Sequence, residues 1–463
     1  MKRLFDVKRV HFDIALVSET AALGGHSPAA LARTTTSEGA CRTIGRRRRR
    51  SHAFVLRAIW MALVVSVAGG CSHVREPYVR PSIACPSSAT NDAPADVRAH
   101  NANVATRLVL IGDAGEGLQD TSLWHAMRER IGEVPEKTTV VFLGDNIYGA
   151  GMPTKRSIGM PKDAARTNAE AQLQAQISLM PTNIARGIFI PGNHDWNQSR
   201  PGGVERILAQ QTYVQEHKHS FLPPLELPSL ESAGIYVTNL NERAPVLLIV
   251  LDTELLLFRL KINPHDDLRD VLVPLQKAIR AASGEVVVVA HHPLATHGEH
   301  GGFYDWKQWF FPGTTLKSRL WLPIRWVPVP FVYPIGRTIA ALTPSQLTKG
   351  DLCAPAYWSL KTNLTATLSA RPPLAYAAGH DHNLQVLDGG KAAKYILVSG
   401  FGSPQKVSSV GHGDDTIFAH RQPGFMIVDF MADKSVLLKV IKTNDEKGTN
   451  QAHSKLVFCM PLK

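Results

Sequence analysis

Cysteine is scarce in this 463-residue chain, five in all, and no two of them stand at the short spacing a structural zinc site needs. A zinc-ribbon fold is thereby excluded. Missing too are a GxxxxGKS phosphate loop and a GxSxG nucleophile elbow, which removes P-loop phosphoryl transfer and elbow-type serine hydrolysis. The apolar run Ala58–Gly70 holds 13 residues, too few to span a bilayer comfortably. Acidic residues are outnumbered, 39 Asp/Glu against 51 Lys/Arg, for a net charge of +12. Residues 1–70 hold 12 of the basic residues and 4 of the acidic, leaving 39 against 35 for the remainder. The excess therefore belongs to the N-terminus, and no nucleic-acid partner is expected. A hydrophobic fraction of 44% with 19% charged residues is ordinary for a globular protein and excludes global disorder. The length fits one large α/β catalytic domain with appendages.

Residues 1–41 show no sustained apolar period. From Arg42 the chain turns strongly basic, with five arginines at Arg46–Arg50, and then apolar over Ala58–Gly70: the n-region and h-region of an export signal. An n-region this far from Met1 points to a true start downstream. Val67-Ala68-Gly69-Gly70-Cys71 resembles the bacterial lipobox, which implies lipidation of Cys71 after cleavage; an ordinary cut near Gly70 or an uncleaved anchor is the alternative. The expectation is an exported, membrane-anchored lipoprotein facing the periplasm or cell exterior. Residues 71–105, rich in Pro, Ser, Ala and Asn, read as a disordered tether, with the folded domain spanning 106–463. Cys41 leaves with the signal and Cys71 takes lipid, so Cys85, Cys353 and Cys459 remain for one disulfide of unassigned pairing.

Within the domain, Val/Ile/Leu runs predict strands at Leu108–Ile111, Thr139–Leu143, Gly187–Ile190, Val246–Leu251, Glu285–Ala290, Leu374–Ala377, Tyr395–Val398, Phe425–Phe430 and Val436–Ile441. Helices are predicted at Leu118–Ile131, Arg166–Met180, Glu205–Lys218 and Leu268–Ala282. The early part alternates strand and helix, and the last strands follow one another, which suggests two packed sheets flanked by helices. A Trp- and Pro-rich insertion at 303–350 breaks the pattern, with four Trp over Phe303–Arg337. Its prolines forbid a long helix. It reads as a lid over the cleft, or as a membrane-facing patch because Trp mixed with Lys and Arg suits a headgroup boundary.

Five strand-like runs end in groups able to bind metal: Asp113 after LVLIG, Asp145 after VVFLG, Asn193 and His194 in GNHDW, His291 after VVVVA, and His380 with His382 after LAYAAG. Each alone is a common polar turn. Together they matter, because sheet topology brings strand carboxyl ends to one edge, where oxygen and nitrogen donors converge.

Over Leu108–Gln385 the order GDAG, GDN, GNHD, a histidine loop and GHDH resembles the calcineurin-like metallophosphoesterases. GDNIYGAG, with Tyr148 three residues after Asp145, and AGHDHNLQ look like the small purple, tartrate-resistant acid phosphatase branch. The resemblance implies an α/β (α+β) fold, a four-layer αββα sandwich with two mixed central sheets and the site at their shared carboxyl edge. It implies two metal ions: Asp113, Asp145, Tyr148 and His382 hold the first, Asp145, Asn193, His291 and His380 the second, and Asp145 bridges. A phenolate is a hard anionic donor suited to Fe(III), which assigns iron to the Tyr148 site. The second metal is open among Fe(II), Zn and Mn.

The same resemblance implies hydrolysis of phosphate monoesters by direct, in-line attack of metal-bound hydroxide. The rivals are a phosphodiesterase acting on nucleotide or lipid esters and a non-catalytic surface-anchored binding protein. His194 is placed to protonate the leaving group and His300 to contact phosphate, with His297 a rival for the latter role. Adjacent residues at a strand end point to opposite sides, so His292 is expected to pack or hydrogen-bond beside ligand His291. Asp195 is expected to orient His194. Asp252, in VLDT, is read as a structural turn.

Overall fold

Uninterrupted Val, Ile and Leu runs have no polar face to offer water, and in the computed structural model they form strands covered on both sides. The structure describes residues 77–81, 83, 94–115, 121–154, 162–180, 185–225, 234–241, 245–304, 354–402, 407–444 and 453–462. The described residues begin with β1 (Tyr78–Val79) and α1 (Pro94–Asn103). There follow β2 (Val104–Ile111), α2 (Thr121–Gly132), β3 (Thr138–Phe142), α3 (Lys162–Ile177), β4 (Arg186–Phe189), α4 (Gly203–Glu216) and β5 (Ser220–Phe221). The second half gives β6 (Ile235–Asn239), β7 (Val246–Leu251), α5 (Thr253–Ile262), α6 (Arg269–Ala281), β8 (Glu285–Ala290), α7 (Pro355–Leu368) and β9 (Ala375–Ala378). It closes with β10 (Leu384–Asp388), β11 (Tyr395–Ser399), β12 (Thr416–His420), β13 (Gly424–Met431), β14 (Val436–Asn444) and β15 (His453–Leu462).

Two mixed sheets result. One has the order β15-β14-β13-β2-β3-β4-β5, with β2 to β5 parallel; the other has the order β1-β12-β10-β11-β9-β8-β7-β6, with β7, β8, β9 and β11 parallel. Leu108, Leu110 and Val141 of the first meet Leu248, Val287 and Val289 of the second in the inner core, all without solvent exposure. The outer face of the first sheet packs on α2, α3 and α4, through residues such as Met127, Leu173 and Ile207. The outer face of the second packs on α5, α6 and α7, through Leu256, Leu275 and Leu364. The chain is therefore a four-layer αββα sandwich, as the strand runs imply. Each fully buried Leu or Val contributes roughly 1.5–3 kcal/mol, so the inner layer alone fixes which face of every strand turns inward.

Two elements depart from the sequence expectation. The segment read as a tether is structured in part: β1 pairs with β12, Tyr78 opposite Ala419, and α1 leads directly into β2. The α1 sequence has no apolar stripe, so periodicity does not mark it. Polar contacts place it instead, with His100 Nε2 2.8 Å from Asp429 Oδ2 and Asn101 Oδ1 accepting from Arg107 Nη2 at 3.1 Å. Helix α5, TELLLFRLKI, is apolar nearly all round and gives no helical period; Asp252 caps it, its Oδ1 accepting from the Leu255 amide at 3.0 Å. Cys459 is disulfide-bonded, to a partner outside the described residues. The segment read as an export signal, Cys71, Cys85, Cys353 and the insertion from 305 to 350 also lie outside them. No helix among the described residues is long and apolar enough to cross a membrane.

Candidate metal centre

The parallel strands β2, β3 and β4 of one sheet and β8 and β9 of the other end at a common edge, and each delivers one of the five loops. The sheets touch there. Gly112 N donates to Ser399 O at 2.7 Å, and a Cβ on Gly112 would lie 2.8 Å from the Gly379 Cα, so only glycine permits the joint. Asp113, Asp145 and His380 follow glycines and adopt φ of 59°, 54° and 70°. A left-handed backbone costs a non-glycine residue energy, and such strain concentrates where a side chain must be aimed.

The aimed side chains converge. Tyr148 Oη donates to Asp113 Oδ1 at 3.0 Å and lies 2.9 Å from His382 Nε2, which is 3.2 Å from the same Asp113 oxygen. Next to this trio, His291 Nε2 stands 2.9 Å from Asn193 Oδ1, 3.2 Å from His380 Nδ1 and 3.5 Å from Asp145 Oδ1. The opposite ring nitrogen of His291, Nδ1, donates to the Leu143 carbonyl at 2.8 Å, so its lone pair is on Nε2 and faces the cluster. Asp113 and Asp145 are buried, and among the described residues their ion pairs are to histidines alone.

The electrostatics ask for a cation. Burial opposes an ionised Asp113, yet His382, His291 and the Tyr148 hydroxyl outweigh it and hold the carboxyl below its ordinary value. Burial likewise opposes a charged His291, but Asp145 and Asp113 outweigh that and raise its pKa. The field that draws a proton to His291 is the field that would draw a metal ion. The atoms of Asp113, Asp145 and His291 that could bind a metal lie within 4.8 Å of one another, as do those of His291, His292 and His380. The donor set thus fits a dinuclear centre with Asp145 between the two sites.

A buried polar frame holds these loops, and little of it shows in the sequence. Asp195 does not touch the His194 ring, contrary to the sequence expectation. Its carboxylate accepts from the amides of Gly192 (2.8 Å), Asn146 (3.1 Å) and Ile147 (3.0 Å) and from Asn146 Nδ2 (3.3 Å), tying the Asn193 loop to the Asp145 loop. Burial, with Asp145 adding to it, pushes Asp195 up to about 7. Gln176 Nε2 donates to Asn146 O, and the Tyr148 amide donates to Gln172 Oε1, so α3 fixes the loop carrying Tyr148. Asp252 does more than turn the chain: its Oδ2 accepts from Trp196 Nε1 at 2.9 Å, anchoring the end of GNHDW. His292 Nδ1 lies 2.8 Å from Thr253 Oγ1, and burial followed by the neighbouring His291 drives its pKa well down, which keeps the ring neutral. Asp381, in GHDH, accepts from Thr296 Oγ1 at 2.6 Å and from the His300 amide at 3.2 Å.

The two histidines read as substrate groups stand beside the cluster, half-buried. His194 Nδ1 donates to Gly149 O at 3.2 Å, which leaves Nε2 turned to the site, 3.9 Å from Asp145 Oδ2. The His300 ring stacks on His380, with centroids 3.9 Å apart and planes 30° apart. His297 is turned away and held by Asp415, Nε2 to Oδ1 2.5 Å.

Residues 106–318 match the family model described as calcineurin-like phosphoesterase. No curated protein matches the chain. Among solved structures it is similar to GAP50, the anchor in the inner membrane complex of Plasmodium, with 14% identity and a TM-score of 0.44 over 77% of this chain and 88% of that one. It is similar to the purple acid phosphatase PPD1 from yellow lupin (Lupinus luteus) seeds, with 14% identity and a TM-score of 0.43 over 77% of this chain and 53% of that one. It is also similar to PhoD, with 12% identity and a TM-score of 0.45 over 78% and 70%.

Proposed function

We propose, from the match of residues 106–318 to the calcineurin-like phosphoesterases and from the placement of Tyr148, that the chain hydrolyses phosphate monoesters at an iron-containing dinuclear centre. The observation that carries the proposal is the Tyr148 hydroxyl, 3.0 Å from Asp113 Oδ1 and 2.9 Å from His382 Nε2: a phenol inserted between two metal-ligand types. Asp113, Asp145, Tyr148 and His382 hold Fe(III); Asp145, Asn193, His291 and His380 hold Fe(II), Zn or Mn. When bound, the two cations neutralise phosphate charge and acidify a water. The chain's own residues do the rest. His194 is oriented by Gly149 O with Nε2 toward the cleft, where it protonates the departing alkoxide; His300, stacked on His380, contacts the phosphate.

The test has an optical and a kinetic arm. Iron-loaded protein is expected to be pink to purple from tyrosinate charge transfer, and Tyr148→Phe to be colourless. A nitrophenyl monoester is expected to be cleaved faster than bis-nitrophenyl phosphate. Dominant diester cleavage would replace the monoesterase reading with a phosphodiesterase one, absence of both activities would favour a surface-anchored binding protein, and a colourless active enzyme would remove iron.

Cys71, the proposed lipid attachment point, stands seven residues before Tyr78 in β1. Seven residues extend at most about 25 Å, so a lipidated chain would hold the domain close to the membrane. Loss of membrane fractionation in Cys71→Ala tests the anchor; unchanged fractionation would rule it out.

A further inference from the structure

Residues 407–415, in the loop between β11 and β12, grip both histidine loops of the site. Ser408 N donates to His382 O at 3.1 Å, and Ser408 Oγ accepts from His382 N at 3.3 Å. Ser409 N donates to Glu299 Oε1 at 3.2 Å, beside His300; Val410 bridges Gly298; Gly411 N donates to His297 O at 2.9 Å; and Asp415 holds the His297 ring. Where this loop sits therefore decides where His300 and His382 sit.

What holds the far side of the loop comes from the other end of the chain. β1 adds an edge strand to β12, with Tyr78 opposite Ala419 and Val79 opposite Phe418. The Tyr78 ring stacks on His412, centroids 4.3 Å apart and planes within 7°. Arg80 reaches over Asp415, its Nε donating to Thr416 O at 3.1 Å and its Nη2 to Asp414 O at 2.7 Å. A guanidinium spans two carbonyls at once because its donors are fixed in one plane; an ammonium is a point donor and can only approximate this. None of these contacts involves a group assigned to metal or substrate.

We propose that residues 77–81 act as a strap that sets the phosphate-facing side of the site, with Arg80 and Tyr78 as positioning residues for His300 acting through loop 407–415. The inference rests on the reading of His300 as a phosphate contact. Loosening the strap lets the loop, and with it the Gly298–His300 segment, move relative to the metal cluster. Asp145 and Asn193 keep their own frame through Asp195, and Asp113 is held by its amide, which donates to Gly144 O at 2.9 Å. Because His382, bonded to Ser408, is one metal donor among several, phosphate affinity should fall further than metal content.

The experiment uses the full chain, metal-loaded, as wild type, Arg80→Ala, Arg80→Lys and Tyr78→Ala. Inorganic phosphate binding is measured by calorimetry, beside metal content, melting temperature and KM and kcat. Removing a group that orients a site residue costs roughly tenfold or more in such systems. Arg80→Ala is expected to weaken phosphate binding and raise KM about tenfold with a smaller loss of metal, Tyr78→Ala to do so less, and Arg80→Lys to recover part of the loss. Unchanged phosphate affinity in Arg80→Ala, whatever happens to its melting temperature, would overturn the strap. If Arg80→Ala fails to fold, Tyr78→Ala, which removes a half-buried ring from His412, Val410 and Ala419, decides in its place: a weakened phosphate affinity supports the strap and an unchanged one overturns it. Should the wild type prove to be a diesterase, the monoester reading fails separately, because phosphate binding to the loaded site is measured without turnover.

Discussion

Asp195→Asn separates two accounts of the GNHD motif. In the structure the Asp195 carboxylate accepts four N–H bonds, from Gly192, Asn146 twice and Ile147, with no solvent exposure. An asparagine whose oxygen takes the place of Oδ2 keeps the bonds from Gly192 and Asn146 and turns its amide hydrogens toward the Ile147 N–H, which Oδ1 accepts in the wild type. At least one buried N–H group loses its partner, for a destabilisation of roughly 1–3 kcal/mol. Because those amides belong to the loops that carry Asn193, Asp145 and Tyr148, metal affinity should fall roughly 10–100-fold as well. Urea denaturation of the chelator-treated protein reads the first quantity, and metal retained after dialysis against graded chelator reads the second. If Asp195 instead oriented His194, the variant would keep its metals and its stability and change only the alkaline limb of the pH–rate profile. That outcome would refute the reasoning.

Arg107, fully buried, is held by Asp429 through Nε (2.6 Å) and Nη2 (3.1 Å), six residues before Asp113 along the chain, or about 20 Å away. Asp429→Asn should cost about 1.5–3 kcal/mol at pH 7, because it removes the charge of one Arg107 partner while Glu133 Oε2 still holds Nη1 at 2.7 Å, with metal content unchanged; a loss below about 0.5 kcal/mol would contradict the pairing. Burial works against the Asp429 carboxylate, but the bonds from His100 and Arg107 and the charge of Lys439 hold its pKa far below the ordinary value. A depressed folded pKa gives stability that is complete above the unfolded value, near 3.9, and is lost as pH falls below it, so the gap between wild type and variant should narrow below about pH 4. Gly192→Ala puts a Cβ into the Asp145 carboxylate and should empty the centre; a fully metal-loaded variant would show that the approach is not tight. For the Trp-rich segment, co-sedimentation of a Cys71→Ala form with anionic vesicles, with and without residues 303–337, should show binding only when the segment is present. Equal, negligible binding would leave the segment as a lid.

The sequence by itself determined the strands that matter and the identity of the candidate metal donors. Buried parallel strands must be apolar on both faces, so β2, β3, β4, β7 and β8 stand out as Val/Ile/Leu runs, and a donor such as Asp113 or His291 must follow the end of one. What sets the angle of each donor was not legible, because the groups responsible are far apart in the chain and look ordinary alone. Gln172 and Gln176 read as polar helix residues until α3 packs against the Asp145 loop. Asp195 looks like a partner for its neighbour His194, and only the meeting of β3 and β4 at one edge gives it three backbone amides instead. Tyr78 and Arg80 sit in a stretch whose composition says tether, since a two-residue edge strand carries no period. Their role exists only because β12, more than 300 residues later, leaves an edge for them to pair with. Local sequence fixes which chemistry a residue can offer; which groups share a low-dielectric space, and so what each is bonded to, is a property of the closed sandwich alone.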